Sequence, residues 1–173
     1  MDNDLYGYIP KLPEKVNGAN VLVRVIDGAA NRFKWSMEGL DESMSNFRPV
    51  EGSMNLGELV NHIFILAAWL YKSFVDRSFS EEPTGGIHDK KMRTLEILYK
   101  IREHLLDMDD SELAKITIAH NWSDEKIPFW LLINGPIADI LTHVGQICSW
   151  RRMAGNPIPR ANLFRGIPPK EVS

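Results

Sequence analysis

The chain has 173 residues, of which 44% are apolar and 25% charged, with a net charge of −3 and a pI near 6.0. That length can bury a full core in one domain, and that charge balance gives no argument for nucleic acid or an anionic membrane as the main partner. The single cysteine, Cys148, excludes an intrachain disulfide framework and a multi-cysteine zinc site, which suits a reducing compartment.

The opening MDNDLYGYIPKLPEK lacks a basic n-region and an apolar h-region, so it reads as neither signal nor transit peptide. The longest apolar run, IFILAAWL at 63–70, is far too short to span a bilayer, and the expected location is the cytoplasm. Pro10 and Pro13 keep residues 1–16 extended. Asn17 then opens a helix over 17–35, with Leu22, Val25, Ile26, Ala29 and Phe33 inward at helical spacing. Gly39 ends this region, and 40–54 is a connecting loop.

Asn55 and Glu58 have capping-box spacing before a helix over 56–77. Its inward stripe reads Leu59, His62, Ile63, Leu66, Trp69/Leu70 and Phe74, so His62 lies on the apolar side. SEEPTGG at 80–86 breaks the chain, and a third helix starts at Asp89 or a neighbour and runs to about 107. It buries Met92, Leu95, Leu98, Tyr99, the stem of Arg102 and Leu105, and leaves Lys90, Lys91, Arg93, Lys100 and Glu103 outside. Over 109–132, ITIAHNW alternates and IPFWLL is rich in β-formers; a short hairpin across WSDEK and an irregular crossover are equally consistent with this.

The last helix is expected over 134–154, with Asn134 as N-cap, Pro136 in the first turn, Arg151 and Arg152 near the negative pole, and a stop at Gly155 and Pro157. Ile137, Ile140, Leu141, Val144, Ile147 and Cys148 form its apolar arc, which favours a packing thiol over a nucleophile for Cys148. Ala138, Thr142, Gly145 and Ser149 make a sector of small residues that predicts close approach by another backbone and a surrounded helix. Residues 156–173 are Pro-rich and non-helical, with Leu163 and Phe164 expected against the bundle. The whole reads as all-α: one four-helix-bundle domain spanning 1–173, with a longer crossover before its last helix.

A histidine on the apolar stripe of one helix and D-x-x-x-H on another is how bundles assemble metal sites from facing side chains. Asp139 and His143 are one turn apart on one face, and with His62 they offer two imidazoles and a carboxylate to a first-row divalent ion. A satisfied core histidine is the plainer alternative. His120 is the reserve ligand should Asp139 face away; His88 and His104 are expected to be solvated. Arg151 and Arg152 are read as compensating the helix dipole before gripping an anionic substrate. Trp69, Trp130 and Trp150 are read as core before pocket wall.

The element order, His62 in the second helix and the run DILTHVGQICSWRRMAGNPIP together resemble the DinB-like (YfiT-like) superfamily of four-helix bundles. In that family a histidine of the second helix and an H-x-x-x-H on the last long helix bind a divalent metal. The second histidine of that pair precedes a Gly-Gln or similar doublet, as His143-Val144-Gly145-Gln146 does here. The resemblance spans about 17–155, and its departure is Asp139 in place of the first histidine of the pair. It implies His62, Asp139 and His143 as ligands to zinc, nickel, manganese or iron. It also implies a metal-dependent thiol S-transferase using a low-molecular-weight thiol such as bacillithiol or mycothiol, or a hydrolase acting on a small molecule. The rival expectation is non-enzymatic: a stress-associated bundle with a structural or vestigial metal site, acting as a homodimer.

Overall fold

The computed structural model describes residues 4–82, 84–122 and 124–168. The expectations for the tail ends at 1–3 and 169–173, and for Pro83 and Ser123 in their loops, fall outside the described residues. Four long helices dominate: α1 (Gly18–Ser36), α2 (Leu56–Phe74), α3 (Ile87–Leu106) and, after the short α4 (Asp110–Leu113) and α5 (Trp130–Leu132), α6 (Ala138–Met153). The protein is an all-α bundle. Helix α1 packs on α3 and α6, and α2 on the same two, so the four close a ring around one core. Phe33, Phe64, Leu59, Ile63, Leu70, Leu98 and Ile101 are almost wholly removed from water there; each such side chain contributes about 1.5–3 kcal/mol.

The helix starts are written locally. The Asn17 side chain accepts from the N–H of Asn20 at 2.8 Å. Asn55 and Glu58 close a reciprocal capping box, each backbone N–H donating to the other's side chain at 2.7 Å. Helix α3 begins two residues before Asp89, at Ile87, whose N–H donates to Glu42 Oε2 at 2.9 Å. Gly39, at φ 67°, turns the chain after α1.

Several inward assignments shift by one helical position. On α1, Val25 is exposed, while Asp27 and Asn31 are buried. On α3, Lys91 is buried and Tyr99 exposed, because the core face runs through Ile97 and Ile101. Phe164 stands 92% exposed rather than packed. Between α4 and α5 the chain takes the irregular crossover of the two alternatives, with an isolated antiparallel bridge, Thr117 to Pro128, in place of a hairpin, and Phe129 then turns into α5. Among the described residues no helix is long and apolar enough to cross a membrane.

The start of α6 departs most from expectation. Asn134 does not cap it: a kink lies within Ile133–Ile137, where Gly135 leaves helical geometry at φ −90°, ψ −109°. Pro136 has no N–H for the preceding turn, so the helical path breaks at Gly135 and restarts with a kink. At the other end Arg151 is not a solvated counter-charge to the dipole. It is 1% exposed and donates to the carbonyls of Ser36 and Glu38, each at 2.7 Å, and to Asn156. The sector Ala138, Thr142, Gly145 and Ser149 is exposed, so α6 is not surrounded within one chain.

The N-terminal segment is strapped to α1 by polar bonds and meets α3 through the Tyr6–Tyr99 ring contact. Asn31 Nδ2 donates to the carbonyl of Tyr6 at 2.9 Å, and Trp35 Nε1 to that of Gly7 at 3.2 Å. Tyr6 itself takes a left-handed φ of 61°, a strain of about 1–3 kcal/mol held by its surroundings. Its hydroxyl meets the buried Asp27 carboxylate, which pairs with Arg102 Nε at 3.1 Å. Burial outweighs Arg102, Arg24 and the Tyr6 hydroxyl and pushes the Asp27 pKa up to about 6. Between the ordinary carboxylate value and pH 6 the native state therefore binds more protons than the unfolded chain, and stability from this group falls as pH rises. Melting followed from pH 4 to pH 7 should show that fall in the wild type, on the order of 2 kcal/mol. The same series on Asp27→Asn should lack it.

Candidate metal centre

Helices α2 and α6 meet along one seam, and the three residues singled out from spacing converge on it. His62 comes from the middle of α2, Asp139 from the first turn of α6, and His143 from one turn further on. Their potential ligand atoms all lie within 4.8 Å of one another. Asp139 divides its carboxylate: Oδ1 is 3.3 Å from His143 Nε2, and Oδ2 is 3.5 Å from His62 Nε2. The two imidazoles meet edge to face, with centroids 4.8 Å apart and planes at 82°.

The tautomer at His143 sharpens the chemistry. Its Nδ1 lies 2.7 Å from Gln146 Oε1, an acceptor, so Nδ1 carries a proton and Nε2 is turned toward the carboxylate. In the neutral ring that Nε2 presents a lone pair to a carboxylate oxygen, an acceptor facing an acceptor. Such a contact needs a proton or a cation between the two atoms. Ligands about 2.0–2.1 Å from a tetrahedral metal lie ~3.3 Å from each other, close to both imidazole–carboxylate separations. The widest separation in the trio has to contract, a movement within reach of side-chain rotation. The donor set fits a divalent first-row ion.

Exposure divides the three. The His143 side chain is 13% exposed, His62 33% and Asp139 44%, so the centre is closed at His143 and open at Asp139. Beside Asp139 lies a groove of about 260 Å³, lined by Leu66, Trp69, Gly135, Pro136 and Thr142. The kink at Gly135 makes one wall of it.

Other candidates fall away from the seam. His120, the reserve ligand, stacks on Trp122 with centroids 4.3 Å apart, and its Nε2 is held 2.8 Å from the carbonyl of Glu125. His88 and His104 are exposed on α3. Cys148 is half-buried, and burial pushes its thiol pKa up, so it behaves as a packing residue. Trp130 is 64% exposed and lines neither core nor groove. In the sequence Gln146 enters only through the Gly-Gln doublet. Its three-residue spacing from His143 was the available sign that the two side chains would meet.

A scan against family models and searches of curated proteins and of solved structures each returned no match to this chain.

Replacing His62 or His143 by alanine should abolish stoichiometric metal uptake while far-UV circular dichroism keeps its helical amplitude, since an open site contributes less to folding than a closed one. Gln146→Leu should keep the stoichiometry and weaken affinity about 10–100-fold. Undiminished uptake in either histidine variant would remove that residue from the ligand set.

Proposed function

We propose that this protein binds a divalent metal ion through His62, Asp139 and His143 and uses it in chemistry on a small molecule. The observation that carries this reading is the half-open trio beside a groove. A closed structural site would bury all its ligands, whereas here the least buried ligand is the one that borders the cavity. When bound, such an ion supplies a Lewis acid that favours the ionised form of a thiol or water at its open position. Together with the DinB-like pattern of His62 and the His143-Val144-Gly145-Gln146 run, this supports a metal-dependent thiol S-transferase first and a hydrolase second.

The chain's own residues have separable parts in this scheme. Gln146 fixes the His143 ring so that Nε2 faces the centre. Asp139 supplies the negative charge and a hard oxygen donor, which moves preference toward manganese, iron or zinc. Leu66, Trp69 and Pro136 exclude water from one side of the groove and give an apolar group a surface to rest on.

A second reading, a non-enzymatic bundle acting as a homodimer with a vestigial site, is favoured by the exposed small-residue face of α6, which leaves room for a second backbone.

Elemental analysis of protein purified without an affinity tag should find about one equivalent of metal. Calorimetric titration at fixed pH should show Asp139→Ala binding weakly and Asp139→His restoring affinity with a shift away from manganese. Equal affinity in all three proteins would exclude Asp139 from the centre. Metal-free protein that sediments as a stable dimer would favour the second reading.

A further inference from the structure

A second cavity lies apart from the metal centre. It has a volume of about 400 Å³ and lies where residues 119–122 cross the C-terminal half of α2. Its wall is built, not incidental. Trp69 Nε1 donates to the carbonyl of Ala119 at 2.7 Å, Ala119 N–H donates to Ser73 Oγ at 3.1 Å, and Arg77 Nη1 donates to the carbonyl of Ile118 at 2.8 Å. These bonds fix the crossover segment to the helix and so fix the cavity between them.

Its surface is aromatic. Trp122 stacks on His120, with centroids 4.3 Å apart and planes at 28°, and meets Trp69 nearly edge-on at 6.0 Å. Trp122 is nevertheless 62% exposed, so an ordered indole keeps a large apolar area in water. Phe79 closes another side. A cavity of this size with flat aromatic walls is matched to a planar ring system.

Charge then selects among planar ligands. Two charged residues line the cavity, Lys72 and Glu81. Glu81 is committed: its two oxygens take a bidentate grip from Arg93 at 2.6 and 2.5 Å. Lys72 is exposed and has no carboxylate partner among the described residues. The uncommitted charge at the rim is therefore positive, which disfavours the organic cations that exposed indoles otherwise attract.

We propose that this cavity is a binding site for planar aromatic carboxylates, the ring lying against Trp122 and Trp69 and the carboxylate meeting Lys72. The site stands apart from the metal centre, although Trp69 borders both cavities. It does not depend on the trio's holding an ion.

The test is calorimetric titration of the full chain, in excess chelator, with 2-naphthoate, its neutral amide and 2-naphthylmethylammonium. The chelator separates this outcome from the metal reading. Naphthoate should bind saturably at one site and more tightly than the amide, and the cation should bind weakest. Trp122→Ala should weaken naphthoate binding roughly ten-fold through lost stacking, and Trp122→Phe should recover most of it. Lys72→Gln should cost roughly three-fold and erase the preference for naphthoate over the amide. Both residues are exposed, and unchanged melting would show that the variants fold. No saturable binding, equal affinity for the three probes, or undiminished naphthoate binding in both Trp122→Ala and Lys72→Gln would overturn the proposal.

Discussion

The guanidinium of Arg151 is the fixed point from which the rest of this bundle takes its alignment. Helix α6 is the least embedded of the four, burying only Ile140, Val144, Ile147 and Arg151 along its length. Three aliphatic side chains hold a helix against its neighbours but leave its tilt loosely specified. Arg151 removes that freedom by donating to two carbonyls at the end of α1 and to Asn156 beyond its own helix. Those carbonyls, Ser36 and Glu38, lie where a helix end leaves acceptors short of partners, so the charge completes a bonding pattern that water would otherwise complete. Losing it would leave those carbonyls short of a donor, at a cost of about 1–3 kcal/mol for each one buried.

With one end of α6 pinned to α1, the other is set by the break at Gly135 and the buried Pro136 and Ile137. Asp139 follows directly after that break, and His143 one turn later. The trio thus depends on two unrelated devices, a charge clamp at the C-terminal end and a backbone kink at the N-terminal end. His62 needs neither, because α2 is apolar on several sides and held along its whole length.

Much of this was readable from the chain. Asn17, Asn55 with Glu58, and Gly39 mark helix ends through short-range hydrogen bonding and backbone freedom, which are properties of a few consecutive residues. The pairing of Asp139 with His143 is likewise local, and helical spacing placed them together. The all-α architecture followed from three long amphipathic segments and from the apolar arc and stop signals of α6. What resisted reading depends on partners distant in sequence. Lys91 looks like a surface lysine until Glu38, in the turn after α1, lies 3.5 Å from its Nζ. Arg151 looks like a dipole partner until the carbonyls of α1 meet it. Asn134 has the right type for a cap, but Gly135 and Pro136 resolve the local geometry differently, because the residue before a proline is pushed out of helical geometry. Gln146 could be placed beside His143 by spacing, but only the observed contact gives it a task.

The kink at Gly135 has one more consequence, concerning phase. Each residue turns a helix by about 100°, so an unbroken helix would tie the faces of α6 to those of the stretch before it. The non-helical backbone at Gly135 cuts that tie. The two stretches take their phases separately, and the histidine of α2 faces a carboxylate in the phase that α6 adopts after the break.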